Sequence, residues 1–180
     1  MKLLTNTSIS LIAQEFGLTY AKVKTVVLIE SGSQAFDPIT GKIIIQFEPH
    51  WFKRKSPYSP SGKWSVNKVE KQAAEWSAFN DAFSKNQNAA MEATSVGLMQ
   101  VMGFHWKLLG FKSVGAMWDY AKASAENQLR LGLLFIKSNK KMFDALVKTD
   151  WATFAYYYNG EQYRKFNYDV RLKNTYARFA

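Results

Sequence analysis

The residue with the clearest potential for chemistry is Glu30, an acid at the end of an apolar run. The run 26–29 (Val-Val-Leu-Ile) precedes it, and Ser31 and Gly32 follow. A carboxyl group beside an apolar wall loses hydration, and at a helix C-terminus it faces the negative end of the dipole. Both effects raise its pKa, so the group stays protonated near neutral pH and can protonate a leaving oxygen. We therefore predict that Glu30 is a general acid; the alternative is a frayed helix end with Glu30 in solvent.

A second carboxylate is needed for most reactions of this kind, and two acids flank a short β-type stretch. Glu48 ends the apolar run 42–47 and precedes His50, so it lies where the chain leaves the run. Asp37 precedes a proline and is better suited to capping a turn. Paired acids across a helix end and a small β element are typical of glycosidases. We predict Glu48 as the second carboxylate, with Asp37 as its rival.

Two further stretches could bind a polar ligand. Around Ser95 and Gln100 we expect a short helix whose inward side carries Leu98, Val101 and Met102. Tyr158 and Asn159 end a helix just before Gly160, which is a common helix stop. A tyrosine and an amide together suit a sugar ring, although a capped helix and an aromatic core strip would explain the same residues.

Helical periodicity dominates the elements that position these residues. Ser8 or Ser10 can cap a first helix ending at Gly17, and Thr19 can cap a second that runs to Glu30. Ser124 can cap a long core helix, because apolar residues recur at helical spacing after it: Ala125, Leu129, Leu133 and Ile136. Near the C-terminus, an aromatic stripe predicts a packing face: Tyr168, Leu172, Tyr176 and Phe179.

The fold class predicted from these patterns is mainly α, with a small β-hairpin or ribbon near residues 36–48. The 180 residues are 47% hydrophobic and contain no linker, which predicts a single domain over 1–180. The segment 53–68 contains two prolines and five Lys or Arg residues, which predicts a basic loop.

Composition excludes several classes of protein. The chain contains no cysteine, so disulfides, thiolate nucleophiles and cysteine-ligated zinc are absent. The two histidines are far apart, and we expect neither a metal nor a cofactor. The net charge of +10 favours polyanionic partners. Neither a signal peptide nor a run of about 18 apolar residues is evident, so we expect a soluble protein made in the cytoplasm.

Several motifs together resemble the phage-type N-acetylmuramidase family, which consists of compact lysozyme-like endolysins. The resemblance covers nearly the whole chain, in order, through the segments Glu30-Ser31-Gly32, Phe36-Asp37-Pro38, Phe47-Glu48-Pro49-His50, 95–103, Asp150-Trp151 with Phe154-Ala155, and Tyr158-Asn159-Gly160. Pro49 is a departure, because the family pattern has Arg there.

The resemblance implies a lysozyme-like α+β fold and cleavage between N-acetylmuramic acid and N-acetylglucosamine in peptidoglycan. It implies that Glu30 is the general acid, that Glu48 is the second acid, and that Gln100, Tyr158 and Asn159 line the glycan groove, with Ser95 beside them. For such a lysin we expect a monomer with peptidoglycan as its substrate, contact of the basic surface with anionic lipopolysaccharide, and holin-assisted release from the host cytoplasm to the periplasm.

Three alternatives stay open at this point. The Ser-x-Gly-Leu-Met-Gln and Tyr-Asn-Gly segments are also similar to lytic transglycosylases, in which Glu30 alone would suffice. Residues 11–23 resemble a helix-turn-helix that could bind DNA, although the second helix continues into a run that needs a core. The third alternative is a cationic membrane-disrupting protein that acts through the C-terminal helix.

Overall fold

The computed structural model describes residues 4–31, 34–56 and 71–180. In these ranges the protein is mainly helical with a small antiparallel sheet, which confirms the predicted fold class. The α-helices are α1 (Asn6–Glu15), α2 (Tyr20–Glu30), α3 (Pro49–Lys55), α4 (Gln72–Lys85), α5 (Gln87–Glu92), α6 (Val114–Ala123), α7 (Ala125–Ser138), α8 (Lys140–Lys148), α9 (Trp151–Asn159) and α10 (Tyr168–Tyr176). The strands are β1 (Ile45–Phe47), β2 (Thr94–Val96) and β3 (Val101–Met102), and short 3₁₀ helices span Gly103–His105 and Glu161–Phe166.

The first two helices have nearly the predicted bounds, but the first N-cap is Thr5. The backbone N–H of Ser8 donates to Thr5 Oγ1 at 3.1 Å, and the Thr5 N–H donates to Ser8 Oγ at 3.0 Å. This reciprocal pair is a capping box, and it places Ser8 inside the helix. The prediction of Ser8 or Ser10 as the cap was wrong because either residue leaves a turn of helix before it. Helix α2 begins after Thr19 and ends at Glu30, as predicted.

Helix α7 is the predicted core helix. The side chain of Ser124 caps it by accepting from the Asn127 N–H at 3.1 Å. Leu129, Leu133 and Ile136 are almost completely buried. Gly132 also lies on this helix, where an added Cβ would come within 2.3 Å of Met99 Cγ. The missing side chain at Gly132 lets the helix approach the β2–β3 turn closely.

The sheet includes part of the predicted β element and corrects one prediction. The strands are ordered β1-β2-β3 with antiparallel pairing, and Ser95 faces both Gln46 and Met102 in register. Within the predicted ribbon at 36–48, only the Phe36–Ile43 bridge closes a hairpin. The helix expected around residues 93–100 is absent, because that segment forms β2 and the turn to β3.

Positive φ angles explain why the predicted helix does not form. Gly97 has φ +70° and Gln100 has φ +47°, and both values lie in the left-handed region. Two such residues three positions apart make a tight turn between β-branched strands that contain Thr94, Val96 and Val101.

Helix α4 covers the outer edge of β1. The Gln72 amide exchanges two hydrogen bonds with the backbone of Ile45, at 2.9 and 2.8 Å. The buried Glu75 carboxylate accepts from the Phe47 N–H at 2.8 Å. These side chains supply the partners that a neighbouring strand would otherwise supply. As a result, side chains of α4 anchor β1 up to Phe47, the residue before Glu48.

The aromatic stripe of α10 is a packing face, as predicted. Helix α10 packs against α2 and α9, and Leu172 is completely buried. The ring of Tyr176 lies 5.3 Å from that of Trp151, and the ring of Phe179 meets that of Tyr20 edge-on at 6.2 Å. Among the described residues, no helix has the length and apolar character that a membrane span requires.

The remaining element predictions concern a basic segment and a DNA-binding helix. Of the predicted basic loop at 53–68, Lys53, Arg54 and Lys55 lie in the last turn of α3, while 57–68 lie outside the described residues. Helix α2 packs between α1 and α10, and its buried residues are Ala21, Val23, Thr25, Val26 and Val27. Because α1 and α10 cover helix α2, it cannot present several turns to a DNA groove. The structure therefore argues against the helix-turn-helix alternative.

Candidate active site

Glu30 is the last residue of α2, and its two carboxylate oxygens differ in their surroundings. Oε2 accepts a hydrogen bond from Asn159 Nδ2 at 2.8 Å. Oε1 is buried and has no hydrogen-bond partner among the described residues. Burial raises the pKa of Glu30 to about 7, although the Asn159 hydrogen bond and the positive charge of Arg171 act in the opposite direction. The group is therefore half-protonated near neutral pH and has one oxygen available.

Helix α9 delivers Tyr158 and Asn159 to Glu30. Asp150 caps the start of α9 by accepting from the Thr153 N–H at 3.1 Å, and the helix stops at Gly160, which has φ +85°. These two ends fix the helix length, so that Asn159 is its last residue. The Oδ1 atom of Asn159 is buried without a hydrogen-bond partner in the described part of the chain.

Tyr158 connects this helix end to the sheet. Its ring stacks on Phe154 with centroids 5.5 Å apart, and its hydroxyl donates to the carbonyl oxygen of Met99 at 3.2 Å. Burial and the negative charge of Glu30 both raise the pKa of Tyr158. The phenol is therefore a neutral donor that fixes the β2–β3 turn against α9.

Glu48 is the N-cap residue of α3, directly after β1. Its Oε1 atom accepts from Gln46 Nε2 at 2.8 Å. Its Oε2 atom is buried and has no hydrogen bond to a described residue, with His50 Nδ1 at 3.4 Å. Like Glu30, Glu48 therefore has one oxygen held by an amide and one that could face a ligand.

Ser95 and Gln100 contact each other within the β2–β3 hairpin. The hydroxyl of the buried Ser95 donates to Gln100 Oε1 at 2.7 Å, and Gln100 Nε2 donates to the Gly97 carbonyl at 2.8 Å. Both polar atoms of the Gln100 amide are thus used inside the hairpin. The contacts explain the shape of the turn, and a groove-lining role for Ser95 and Gln100 stays a prediction.

The predicted residues form two groups joined by short contacts. Glu30 contacts Asn159 directly, and Tyr158 reaches Met99, the neighbour of Gln100. On the sheet side, the Ser95 hydroxyl also lies 3.4 Å from the Gln46 carbonyl, and the Gln46 side chain binds Glu48. The contacts therefore run from one candidate acid to the other through the hairpin.

Sequence reasoning missed two residues of this arrangement. Gln46 lies two positions before Glu48 on an extended strand, so the period of two already places both side chains on one face. The positive charge of Arg171, on α10, lowers the pKa of Glu30. Arg171 lies 141 positions further along the chain, so no local sequence pattern could predict this interaction.

Asp37, the rival second acid, instead stabilises a turn. Its Oδ1 atom accepts from the N–H groups of Ile39 and Thr40 at 3.0 and 2.7 Å. These bonds lower the pKa of Asp37, with the backbone bond from Thr40 as the largest cause. Across the described ranges, no three His, Cys, Asp or Glu side chains cluster as a metal site would require.

The fold is that of a lysozyme-like glycoside hydrolase, and comparison with known proteins agrees. The family model described as Muramidase, N-acetylmuramidase, matches residues 19–180, so the chain belongs to the N-acetylmuramidase family. The crystal structure of the Burkholderia AP3 phage endolysin aligns with a TM-score of 0.87 and 33% sequence identity, covering 97% of this chain and 69% of that chain. A comparison with curated proteins found no match.

Proposed function

We propose that this protein is a phage endolysin that hydrolyses the β-1,4 bond between N-acetylmuramic acid and N-acetylglucosamine in bacterial peptidoglycan. The observation that carries the proposal is the state of Glu30. Its pKa of about 7 keeps a proton available near neutral pH, and its Oε1 atom has no partner among the described residues. Family membership and the likeness to a phage endolysin support the substrate.

In the proposed mechanism, Glu30 protonates the glycosidic oxygen as the bond to the leaving sugar breaks. Asn159 holds Oε2 and thereby directs Oε1, the atom proposed to carry the proton, toward the substrate. Tyr158 anchors the hairpin beside the acid. The same burial that raises the pKa of Glu30 lets the proton transfer take place in a partly desolvated site.

Glu48 is proposed as the second carboxylate. It either positions the attacking water or stabilises the oxocarbenium-like transition state. The hydrogen bond from Gln46 orients Oε1, and the unbonded Oε2 is the oxygen that would act. Ser95 and Gln100 are proposed to form the floor of the glycan groove between the two acids.

The test compares Glu30→Gln with wild type on purified Gram-negative sacculi, with release of reducing ends as the measurement. We expect Glu30→Gln to lower kcat by at least about 10²-fold, because the general acid is lost while the side-chain shape is kept. Glu30→Gln with wild-type activity would refute the proposal.

A lytic transglycosylase that uses Glu30 alone is the second candidate. It is favoured by one observation: Glu48 already has an amide on Oε1 and an imidazole nitrogen near Oε2. In such an enzyme the hydroxyl of muramic acid attacks, and no second carboxylate is required. Glu48→Gln distinguishes the two, because it should abolish hydrolysis but leave a one-acid reaction intact.

The same proposal includes where the enzyme acts and with what. A monomeric lysin would accumulate in the host cytoplasm and reach the periplasm once a holin permeabilises the inner membrane. Its charge of +10 would draw it to the carboxylates of peptidoglycan and to anionic lipopolysaccharide. Specific nucleic-acid binding is not part of this function.

A further inference from the structure

A depression of about 330 Å³ lies between helix α9 and the 3₁₀ helix Glu161–Phe166. Gly160 ends α9 with φ +85°, and the 3₁₀ helix packs back against α9. The residues that line this α9 pocket are Ala152, Thr153, Tyr156, Tyr157, Tyr163 and Arg164. In the described part of the chain, none of them bonds to Glu30 or Glu48, so the α9 pocket is separate from the two candidate acids.

Helix α9 links the α9 pocket to the candidate active site. Asn159, which binds Glu30, lies three residues after Tyr156 on the same helix. Residues three apart on a helix are neighbours on its surface, about one turn or roughly 5 Å apart along the axis. A substituent on a sugar held at Glu30 therefore lies within reach of the α9 pocket.

Arg164 supplies the charge of the α9 pocket, and its orientation is fixed. Its Nε atom donates to the Tyr163 hydroxyl at 3.1 Å, and its guanidinium carbon lies 5.6 Å from the centroid of the Tyr163 ring. Tyr163 is only 6% exposed and anchors this contact in the core. No described carboxylate pairs with Arg164. An oriented guanidinium without an acidic partner is suited to two parallel hydrogen bonds with a carboxylate.

Two phenol hydroxyls complete the polar lining of the α9 pocket. The Tyr156 side chain is 43% exposed, and its ring meets those of Tyr157 and Tyr163 edge-on at 5.2 and 6.5 Å. The hydroxyls of Tyr156 and Tyr157 have no hydrogen-bond partner among the described residues, so both can donate to a ligand.

The absence of acids from this lining gives the α9 pocket a positive charge. A neighbouring depression shares Thr153 and Tyr157 with it but is also lined by two lysines and two aspartates: Lys141, Lys148, Asp144 and Asp150. Their formal charges cancel, whereas the lining of the α9 pocket carries the single charge of Arg164. The α9 pocket is therefore the better match for an anionic group.

We infer that the α9 pocket binds a free carboxylate of the peptide stems of peptidoglycan. Arg164 forms the bidentate contact, and the hydroxyls of Tyr156 and Tyr157 donate to the same ligand. The inference rests on the proposed function, because the muramic acid residues of that substrate carry the peptide stems. It adds a preference to that function: the enzyme should bind strands with peptide stems more tightly than bare glycan.

The test compares Arg164→Gln with Arg178→Gln on soluble Gram-negative glycan strands that carry uncross-linked peptide stems, and on the same strands after an amidase has removed the stems. Arg178 is the matched control because it is also exposed, its guanidinium also lies 5.7 Å from an aromatic ring centroid, and its loss lowers the net charge equally. On strands with stems, we expect Arg164→Gln to raise KM about 3- to 10-fold, while kcat changes less than about twofold. On stripped strands this variant should match wild type, as should Arg178→Gln on both substrates.

Tyr156→Phe is the second variant, and it decides the question if Arg164→Gln fails to fold. It removes a hydroxyl without a described partner and keeps the ring, so folding should not change. We expect it to raise KM about 2- to 5-fold, on strands with stems only.

Three outcomes would overturn the inference while leaving the proposed function standing. They are an unchanged KM for both variants on strands with stems, an equal rise on stripped strands, and an equal effect of Arg178→Gln, which would make net charge the cause. A wild-type enzyme without activity on either substrate would instead refute the proposed function.

Discussion

At the scale of single residues, the environment of Glu30 makes stability depend on pH. The folded protein holds this proton up to about pH 7, whereas an unperturbed glutamic acid releases it near 4.5. Between these values the folded state binds more protons than the unfolded state, so the free energy of unfolding falls as the pH rises.

Glu30→Gln removes this titration and should therefore be less sensitive to pH. From pH 5 to pH 8, we expect wild type to lose roughly 1 to 3 kcal/mol of stability relative to the variant. Urea unfolding of both proteins at the two pH values measures the difference. An equal change in both proteins would mean that the Glu30 pKa is not raised.

Asn159 should set the alkaline limit of activity. Its hydrogen bond stabilises the charged form of Glu30, so Asn159→Ala should raise the pKa of Glu30 further. A lost hydrogen bond of this kind moves the alkaline limb of the kcat/KM profile upward by roughly one pH unit. We also expect a lower kcat, because Oε2 is no longer oriented. The control is Asn174→Ala, because Asn174 is an exposed asparagine on α10. If the alkaline limb of the kcat/KM profile of Asn159→Ala stays at its wild-type position, Asn159 does not lower the pKa of Glu30.

At the scale of elements, Gly97 determines how the hairpin meets helix α7. An added Cβ would come within 2.7 Å of Gln128 Oε1. That oxygen accepts from the Leu98 N–H at 2.7 Å, and the Gln128 amide donates to the Ala121 carbonyl at 3.1 Å. A side chain at residue 97 would displace both bonds.

Gly97→Ala is best compared with Gly17→Ala. The φ angles are +70° and +68°, but an added Cβ at Gly17 meets no atom within 4 Å. Both variants therefore carry the backbone cost of about 1 kcal/mol, and only Gly97→Ala adds the clash, roughly 1 to 3 kcal/mol more. Denaturant unfolding measures both values. Equal destabilisation would show that Gln128 can move aside freely.

Elements with local signals could be predicted from the sequence, and those set by distant contacts could not. The bounds of α2 and the core role of α7 follow from caps and apolar spacing within each segment. The hairpin at 94–102 was misassigned because Leu98, Val101 and Met102 also fit helical spacing. The hairpin forms because Gly97 and Gln100 adopt positive φ angles in the left-handed region.

The candidate site shows the same division. Glu30 stands out by its apolar context alone, and the raised pKa agrees with that reading. Its partner Asn159 is 129 positions away, and only the packing of α9 brings the two together.

At the scale of the whole molecule, the charge of +10 should govern association with the wall. Raising the ionic strength from about 0.01 M to about 0.15 M shortens the Debye length from about 30 Å to about 8 Å. We expect cosedimentation of the Glu30→Gln protein with peptidoglycan sacculi to fall several-fold over this range. Cosedimentation with chitin, an uncharged N-acetylglucosamine polymer, is the control and should change little. Equal salt dependence on both polymers would exclude wall carboxylates as the cause.

The role of Glu30 is tested most sharply by mass spectrometry of the fragments released from purified Gram-negative peptidoglycan by wild type and by Glu30→Gln. We expect fragments that end in reducing N-acetylmuramic acid with wild type and none with the variant. Anhydro-muramic ends would contradict the hydrolytic mechanism and the role of Glu48. Fragments released equally by the variant would show that Glu30 is not the catalytic acid.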